Sequence, residues 1–167
     1  VHEVEGDFTQ TLHLPRQMGS TPPLGFFPGS TIGNFVPSEA VNLLRAMSTT
    51  LGRDSMLLIG IDRVKEADVL VAAYDDAEGI TASFNLNLLE RINRELSGTV
   101  PLDAFRHLAR WNEHESRIEM HLEARHDVKF SVEGRPFEMR AGQTIHTENS
   151  VKYAIREARL LLRAGAG

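Results

Sequence analysis

The chain has 167 residues, no cysteine and a formal net charge of −5. The missing cysteine excludes disulfides, thiolate catalysis and cysteine-ligated zinc. The acidic balance argues against a nucleic-acid partner, whose phosphates call for a basic surface. Hydrophobic content of 41% and charged content of 25% are ordinary for a globular protein. No apolar run approaches the roughly 18 residues of a membrane span and no signal peptide is read, so the expectation is a cytoplasmic protein with no membrane partner.

In chain order, residues 2–6 alternate weakly and predict a short strand ending at Gly6-Asp7-Phe8. Residues 9–23, with Pro22 and Pro23, predict a loop. "LGFF" at 24–27 predicts a second strand. Small and polar residues then run from Gly29 to Asn34 before Pro37, which suits the first turn of a helix. Ala40, Val41, Leu43, Leu44 and Met47 keep a helical stripe, and Gly52 suits its end. "SMLLIGID" at 55–62 is a continuous apolar run closed by Asp62, the pattern of a strand buried on both faces of a parallel sheet. Strand, loop, helix and strand of these lengths make a crossover unit, and ligands of such sheets sit beyond the carboxyl ends of the strands. Asp7, the 29–34 loop and Asp62 are expected at that edge.

Beyond residue 65 the pattern changes. Residues 67–74 and 77–96 predict helices, and "LDAFRHLA" a short helix. Period-two alternation then runs through Ile118, Met120 and Leu122, through Val128, Phe130 and Val132, and through Phe137 and Met139. This predicts an antiparallel meander with one face buried and one wet. Residues 143–150 predict a polar connection into a last helix at 151–164. The expected fold is α/β: a partial Rossmann-like sheet at 1–65, an inserted α+β lobe at 66–145, and a connection with a returning helix at 146–167.

Seven histidines invite a metal hypothesis, but none stands in an i, i+4 pair with a glutamate between, and no metal site is assigned. His121 and Glu123 share a predicted strand face whose simplest reading is a solvated surface. Lys152 and Arg156 read as a solvated helix face. The 29–34 loop has two readings: glycines that let another molecule approach the backbone, or a plain turn with a capping role for Asn34. In "HTENS", Thr147, Asn149 or Ser150 could cap the last helix, with Glu148 favouring its dipole. Tyr74, in "AAYDDAEG", could be an ordinary helix-end residue.

Four stretches, "FFPGSTIGNF", "YDDAEGITASFNLNLL", "RIEMHL" and "IHTENSVKY", resemble the histidine-specific, S-adenosylmethionine-dependent Nα-methyltransferases of ergothioneine biosynthesis, in the same order along the whole chain. The resemblance implies a Rossmann-like methyltransferase domain with a substrate-binding lobe, S-adenosyl-L-methionine as cofactor and L-histidine as substrate. It implies that Asp7 and Phe8 hold the adenine end of the cofactor. Gly29 and Asn34 face the amino acid, Asn34 and Tyr74 hold its carboxylate, and Met120 lines the pocket. Glu148 and Ser150 hydrogen-bond the imidazole. Asn34, Tyr74 and Glu148 are thus expected to serve one cavity. No residue is assigned as a catalytic base.

The family's amino-terminal segment, with its Gly-rich cofactor loop, and its closing strand pair are not matched. The expectation is therefore a central and C-terminal portion of such an enzyme, inactive alone, whose exposed sheet edges favour self-association. The alternatives are a non-catalytic amino-acid-binding or scaffold module on the same fold, and a family member that methylates another amine.

Overall fold

The structure is a computed structural model that describes residues 2–15 and 21–166. Two compact units divide the chain: Val1–Val64 with Ser150–Gly167, and Lys65–Asn149. Among the described residues no helix is long and apolar enough to cross a membrane.

In the first unit, strand β1 (Leu24–Phe27) pairs in parallel with β2 (Met56–Ile59), Leu24 opposite Met56 and Phe27 opposite Ile59. Helix α1 (Pro37–Leu51) connects them, with Pro37 in its first turn and Glu39 accepting the Val36 amide at 3.2 Å. Gly52 ends it at φ 82°, where a side chain would be strained. Helix α4 (Ile155–Ala166) packs along α1. Ile32, Ala40, Leu44, Val151, Tyr153 and Leu161 form the core, with Phe27, Leu57 and Ile59 packed on it from the strands.

Three expectations for this unit are corrected. Residues 2–6 are irregular and exposed, because a strand persists only where a neighbour takes its backbone hydrogen bonds. The 55–62 run is not buried on both faces: Leu57 and Ile59 pack inward, whereas Met56 and Leu58 are 63% and 57% exposed beside Leu24 and Phe26. The helices cover one face of this two-stranded sheet, so the period of two shows in burial although every side chain is apolar. The last helix starts at Ile155, not 151, with Glu157 accepting the Ala154 amide at 3.0 Å. The predicted 9–23 loop is irregular where described; residues 16–20 lie outside the described residues.

In the second unit, α2 (Ala67–Tyr74) matches its predicted span. Helix α3 (Ile80–Glu95) begins three residues later than predicted, because Asp76 accepts the amides of Ile80 and Thr81 at 2.9 and 2.8 Å and fixes the first turn there. Strand β3 (Phe105–Asn112) runs antiparallel to β4 (Arg117–Ala124), and β7 (Thr144–Val151) lies on the other side of β4. Strands β5 (Val128–Val132) and β6 (Arg135–Met139) form a separate hairpin. The predicted antiparallel strands are present and divide between these two sheets.

The short helix expected around residues 102–109 is one 3-10 turn, Leu102–Ala104, followed by β3. Its residues pair one for one with β4, from Phe105 opposite Ala124 to Asn112 opposite Arg117, and that long-range ladder outweighs a weak local preference. The expected polar connection at 143–150 is strand β7, so Thr147, Asn149 and Ser150 do not cap α4. Two clusters fill this unit's core. One is built on Leu89, Phe105, Leu122 and Val128, the other on Leu70, Ala109, Ile118 and Met120.

Candidate functional site

The loop after β1 is shaped by backbone conformation. Gly29 has φ 78° and Ser30 φ 57°, both left-handed, and a 3-10 turn covers Thr31–Asn34. The strain at Ser30 is held by a tertiary contact, since its Oγ accepts the Asp62 amide at 2.7 Å. Gly33 is buried, and a Cβ there would meet the Val151 carbonyl oxygen at 2.8 Å and Ser150 Oγ at 3.6 Å. The small residues thus admit the end of β7, which lies against the loop. Asn34 is exposed at the end of the 3-10 turn, and Gly29 is exposed as well.

Lys152, expected on a solvated helix face, is fully buried at 0% exposure. It precedes α4 and follows β7, so strand-like backbone carries it inward. Its Nζ lies 3.1 Å from Asp62 Oδ2 and donates to Ser150 Oγ at 2.7 Å. Ser30, Asp62, Lys152 and Ser150 therefore form one polar chain from the loop to the end of β7. Sequence pattern missed it; the available signal was the period-two spacing of Glu148, Ser150 and Lys152, which only a strand turns into a shared side.

Asp7 Oδ1 accepts the Thr9 hydroxyl at 2.7 Å and the Thr9 amide at 2.9 Å, which holds its carboxyl below the usual range. Phe8 lies tilted to Phe27 and edge-on to Phe35, with ring centroids 5.9 and 6.4 Å away. It also lines an apolar cleft of about 150 Å³ with Leu12, Gly25, Met47 and Leu57. Asp7, Phe8, Gly29, Asn34 and Ser150 all belong to the first unit.

Tyr74, Met120 and Glu148 belong to the second unit. Met120 is buried with Leu70, Ala109 and Ile118, and Tyr74 packs against this cluster, so these two expected pocket residues come together. The Tyr74 carbonyl accepts His107 Nε2 at 2.7 Å, and Asn85 Nδ2 reaches His107 Nδ1 at 2.9 Å and the His121 carbonyl at 3.1 Å. A carbonyl only accepts, so Asn85 Nδ2 donates on both sides. His107 Nδ1 is then the acceptor and Nε2–H the donor. Asn85 and His107, which the sequence did not single out, thereby fix the end of α2 where Tyr74 sits.

Glu148 is half-buried on β7, and burial pushes its carboxyl up from the ordinary value. With Thr147 it borders a cleft of about 200 Å³ lined by Phe84, Asn85, Asn87, Leu88 and Arg91 from α3. Glu148 and Ser150 are two apart on one strand and so emerge on the same side of it.

A second polar cluster joins β4 and β7. One ligand atom each from Glu119, His121 and His146 lie within 4.8 Å of one another, and the two imidazoles stack at 4.6 Å. His121 is 7% exposed, which corrects its expected placement on a solvated face. Burial raises the Glu119 carboxyl, but hydrogen bonds from Asn112, Arg117 and His121 outweigh this and lower it to about 2. Burial lowers His121, and its bond to Glu119 opposes that shift. Glu119 Oε1 already takes Arg117 at 2.7 Å and Asn112 at 2.9 Å, so the carboxylate's charge is met by a guanidinium.

One unit with a parallel strand–helix–strand order and a tight loop at the carboxyl end of its first strand, and a second unit with antiparallel sheets and buried polar residues, make this an α/β protein. The sequence profile of the family described as histidine-specific, S-adenosylmethionine-dependent methyltransferases matches residues 1–166, and the chain belongs to that family. Histidine N-alpha-methyltransferase of Mycolicibacterium smegmatis is 43% identical over 155 residues, covering 92% of this chain and 48% of that protein. Histidine N-alpha-methyltransferase of Mycobacterium tuberculosis is 42% identical over the same shares of both chains. Ergothioneine biosynthesis protein 1 of Neurospora crassa is 38% identical over 71 residues, 42% of this chain and 8% of that protein. The chain thus spans about half the length of the mycobacterial relatives.

Proposed function

We propose that the protein carrying this chain transfers a methyl group from S-adenosyl-L-methionine to the α-amino group of L-histidine. Family membership over residues 1–166 carries this reading. The cofactor, when bound, supplies a methyl group on a sulfonium, which a neutral amine takes by in-line displacement.

On this reading Asn34 and Tyr74 hold the substrate carboxylate through neutral donors. Glu148 accepts an imidazole N–H, and Ser150 meets the other ring nitrogen. Met120 and its apolar neighbours give the site a shaped wall. A ligand without two ring nitrogens leaves the two polar groups unmatched, and that mismatch is a strong source of discrimination. The transfer needs an unprotonated amine, and the protein's part is to hold that amine in line with the methyl group, which needs no covalent help.

Asp7 and Phe8 suit the adenosine end of the cofactor. A carboxylate oriented by Thr9 offers acceptors for ribose hydroxyls, and Phe8 borders an apolar cleft fit for a flat ring. Leu24, Phe26, Met56 and Leu58 present an exposed apolar face, which supports self-association of the 167-residue chain when it is isolated. Sedimentation velocity of that chain tests this, and a monomer at every concentration would reject it.

Calorimetry of the full-length protein with S-adenosylhomocysteine and L-histidine tests the substrate assignment. Saturable histidine binding that Glu148→Ala weakens selectively is expected. No histidine binding rejects the specificity, and binding unaltered by Glu148→Ala rejects the imidazole assignment.

A further inference from the structure

Glu119 and His121 stand two apart on β4 and so share one side of it, and His146 comes from β7, the neighbouring strand. All three lie in the second unit. His121 is buried, yet neither of its ring nitrogens is well used. Nε2 lies 3.3 Å from Glu119 Oε2, long for a hydrogen bond to a carboxylate, and Nδ1 has no hydrogen-bond partner. A buried imidazole left in that state needs an explanation, and a bound ion supplies one.

The neighbours prepare the ligand atoms. Glu119 Oε1 accepts from Arg117 Nε at 2.8 Å, Arg117 Nη2 at 2.7 Å and Asn112 Nδ2 at 2.9 Å, which leaves Oε2 on the histidine side. A carbonyl only accepts, so His146 Nε2–H donates to the Glu148 carbonyl at 3.2 Å and His146 Nδ1 is the bare nitrogen. Metal ligands are oriented in this way, by a backbone carbonyl on the far N–H of an imidazole and by donors on a carboxylate. Zinc bonds of roughly 2.0–2.2 Å at tetrahedral angles put ligand atoms about 3.3–3.5 Å apart. His121 Nε2 and Glu119 Oε2 already stand at that separation. One ligand atom from each of the three residues lies within 4.8 Å of the others, so His146 closes the remaining gap. Its ring stacks on His121 with planes 20° apart, and the exposed side chain has room to turn its lone pair toward the ion.

We propose that Glu119, His121 and His146 form a site for one zinc ion, which clips β4 to β7. Two imidazoles and a carboxylate suit zinc, whereas magnesium prefers six oxygens. Water completes the tetrahedron, since His146 opens the site to solvent. The sequence test for an i, i+4 pair does not see this site, because two ligands share one strand and the third stands on its neighbour. The proposal is independent of methyl transfer, in which none of the three residues has been given a part.

The test is calorimetry of the chelator-treated full-length protein with zinc chloride, and with magnesium chloride as the control. Saturable zinc binding that magnesium does not match is expected. His146→Ala changes an exposed side chain, and Glu119→Gln removes a charge while keeping the shape. Each is expected to weaken zinc by at least the roughly tenfold that loss of an outer-shell partner costs. Zinc affinity unchanged in both variants places the ion elsewhere and overturns the proposal. A loss in only one of them, or no zinc binding at all, overturns it too. Nitrogen NMR of the wild-type protein reads the site without a substitution. Zinc is expected to shift the ring nitrogens of His121 and His146 together, and signals that stay in place overturn the proposal.

Discussion

Gly33 lies so close to Val151 that a Cβ on the glycine would stand 2.8 Å from the valine carbonyl oxygen. This contact ties the loop after β1 to the end of β7, 118 positions later by the difference of their numbers. It gives the run of small residues a structural task besides any contact with substrate. Gly33→Ala forces backbone apart and is expected to cost about 1–3 kcal/mol, the usual range for overpacking. Urea denaturation measures it, and a wild-type midpoint would mean that the two backbones part without cost.

Glu148 sets a pH dependence of known sign. Burial raises its pKa above the ordinary 4.5, so the folded protein keeps this proton to higher pH than the unfolded chain does. The associated penalty is absent below about pH 4.5 and grows as pH rises through the folded value. Glu148→Gln removes the charge. It is expected to unfold at a higher temperature than wild type near neutral pH, with the difference vanishing in acid. Its affinity for histidine falls about tenfold or more, the worth of a hydrogen bond to a charged group. Thermal scans at two pH values and calorimetry read the two effects separately.

Glu119 behaves in the opposite sense. Its carboxyl is lowered to about 2 from the ordinary 4.5, so its contribution is present above 4.5 and lost as pH falls through the folded value. Glu119→Gln is expected to cost on the order of 2 kcal/mol near pH 6 and close to nothing near pH 2. Denaturant titrations at the two pH values check this. Equal costs at both would show that the carboxylate charge is not what the neighbours hold.

Asn85 controls a histidine tautomer. It donates to His107 Nδ1 and to the His121 carbonyl, and His107 Nε2–H in turn donates to the Tyr74 carbonyl. Nitrogen NMR of His107 is expected to report the Nε2–H form. Asn85→Ala leaves buried acceptors unpaired and is expected to cost about 1–3 kcal/mol. If Tyr74 holds the substrate carboxylate, the same change weakens histidine binding while leaving cofactor binding intact.

The elements that formed as expected are those with a strong local pattern. Pro37 and Gly52 bracket α1, and the apolar residues of 67–74 give α2 its predicted ends. The failures share a cause. Residues 105–112 and 144–151 became strands because β4 pairs with β3 on one side and adjoins β7 on the other, and no local window contains those neighbours. The continuous apolar run at 56–59 suggested cover on both faces, yet side-chain type alone does not say which face a second layer covers.

The candidate site divides in the same way. Asp7, Phe8, Gly29, Asn34, Tyr74, Met120, Glu148 and Ser150 were named from motif resemblance, which follows residue type and order along the chain. The buried Asp62–Lys152–Ser150 chain and the Asn85–His107–Tyr74 relay were not, because a lysine or asparagine reads as surface until its partners are known. Sequence by itself determined the chemical inventory, the α/β class and the family. Tertiary structure decided which polar groups are buried and which of their atoms donate, because hydrogen-bond direction and desolvation depend on neighbours brought together only by folding.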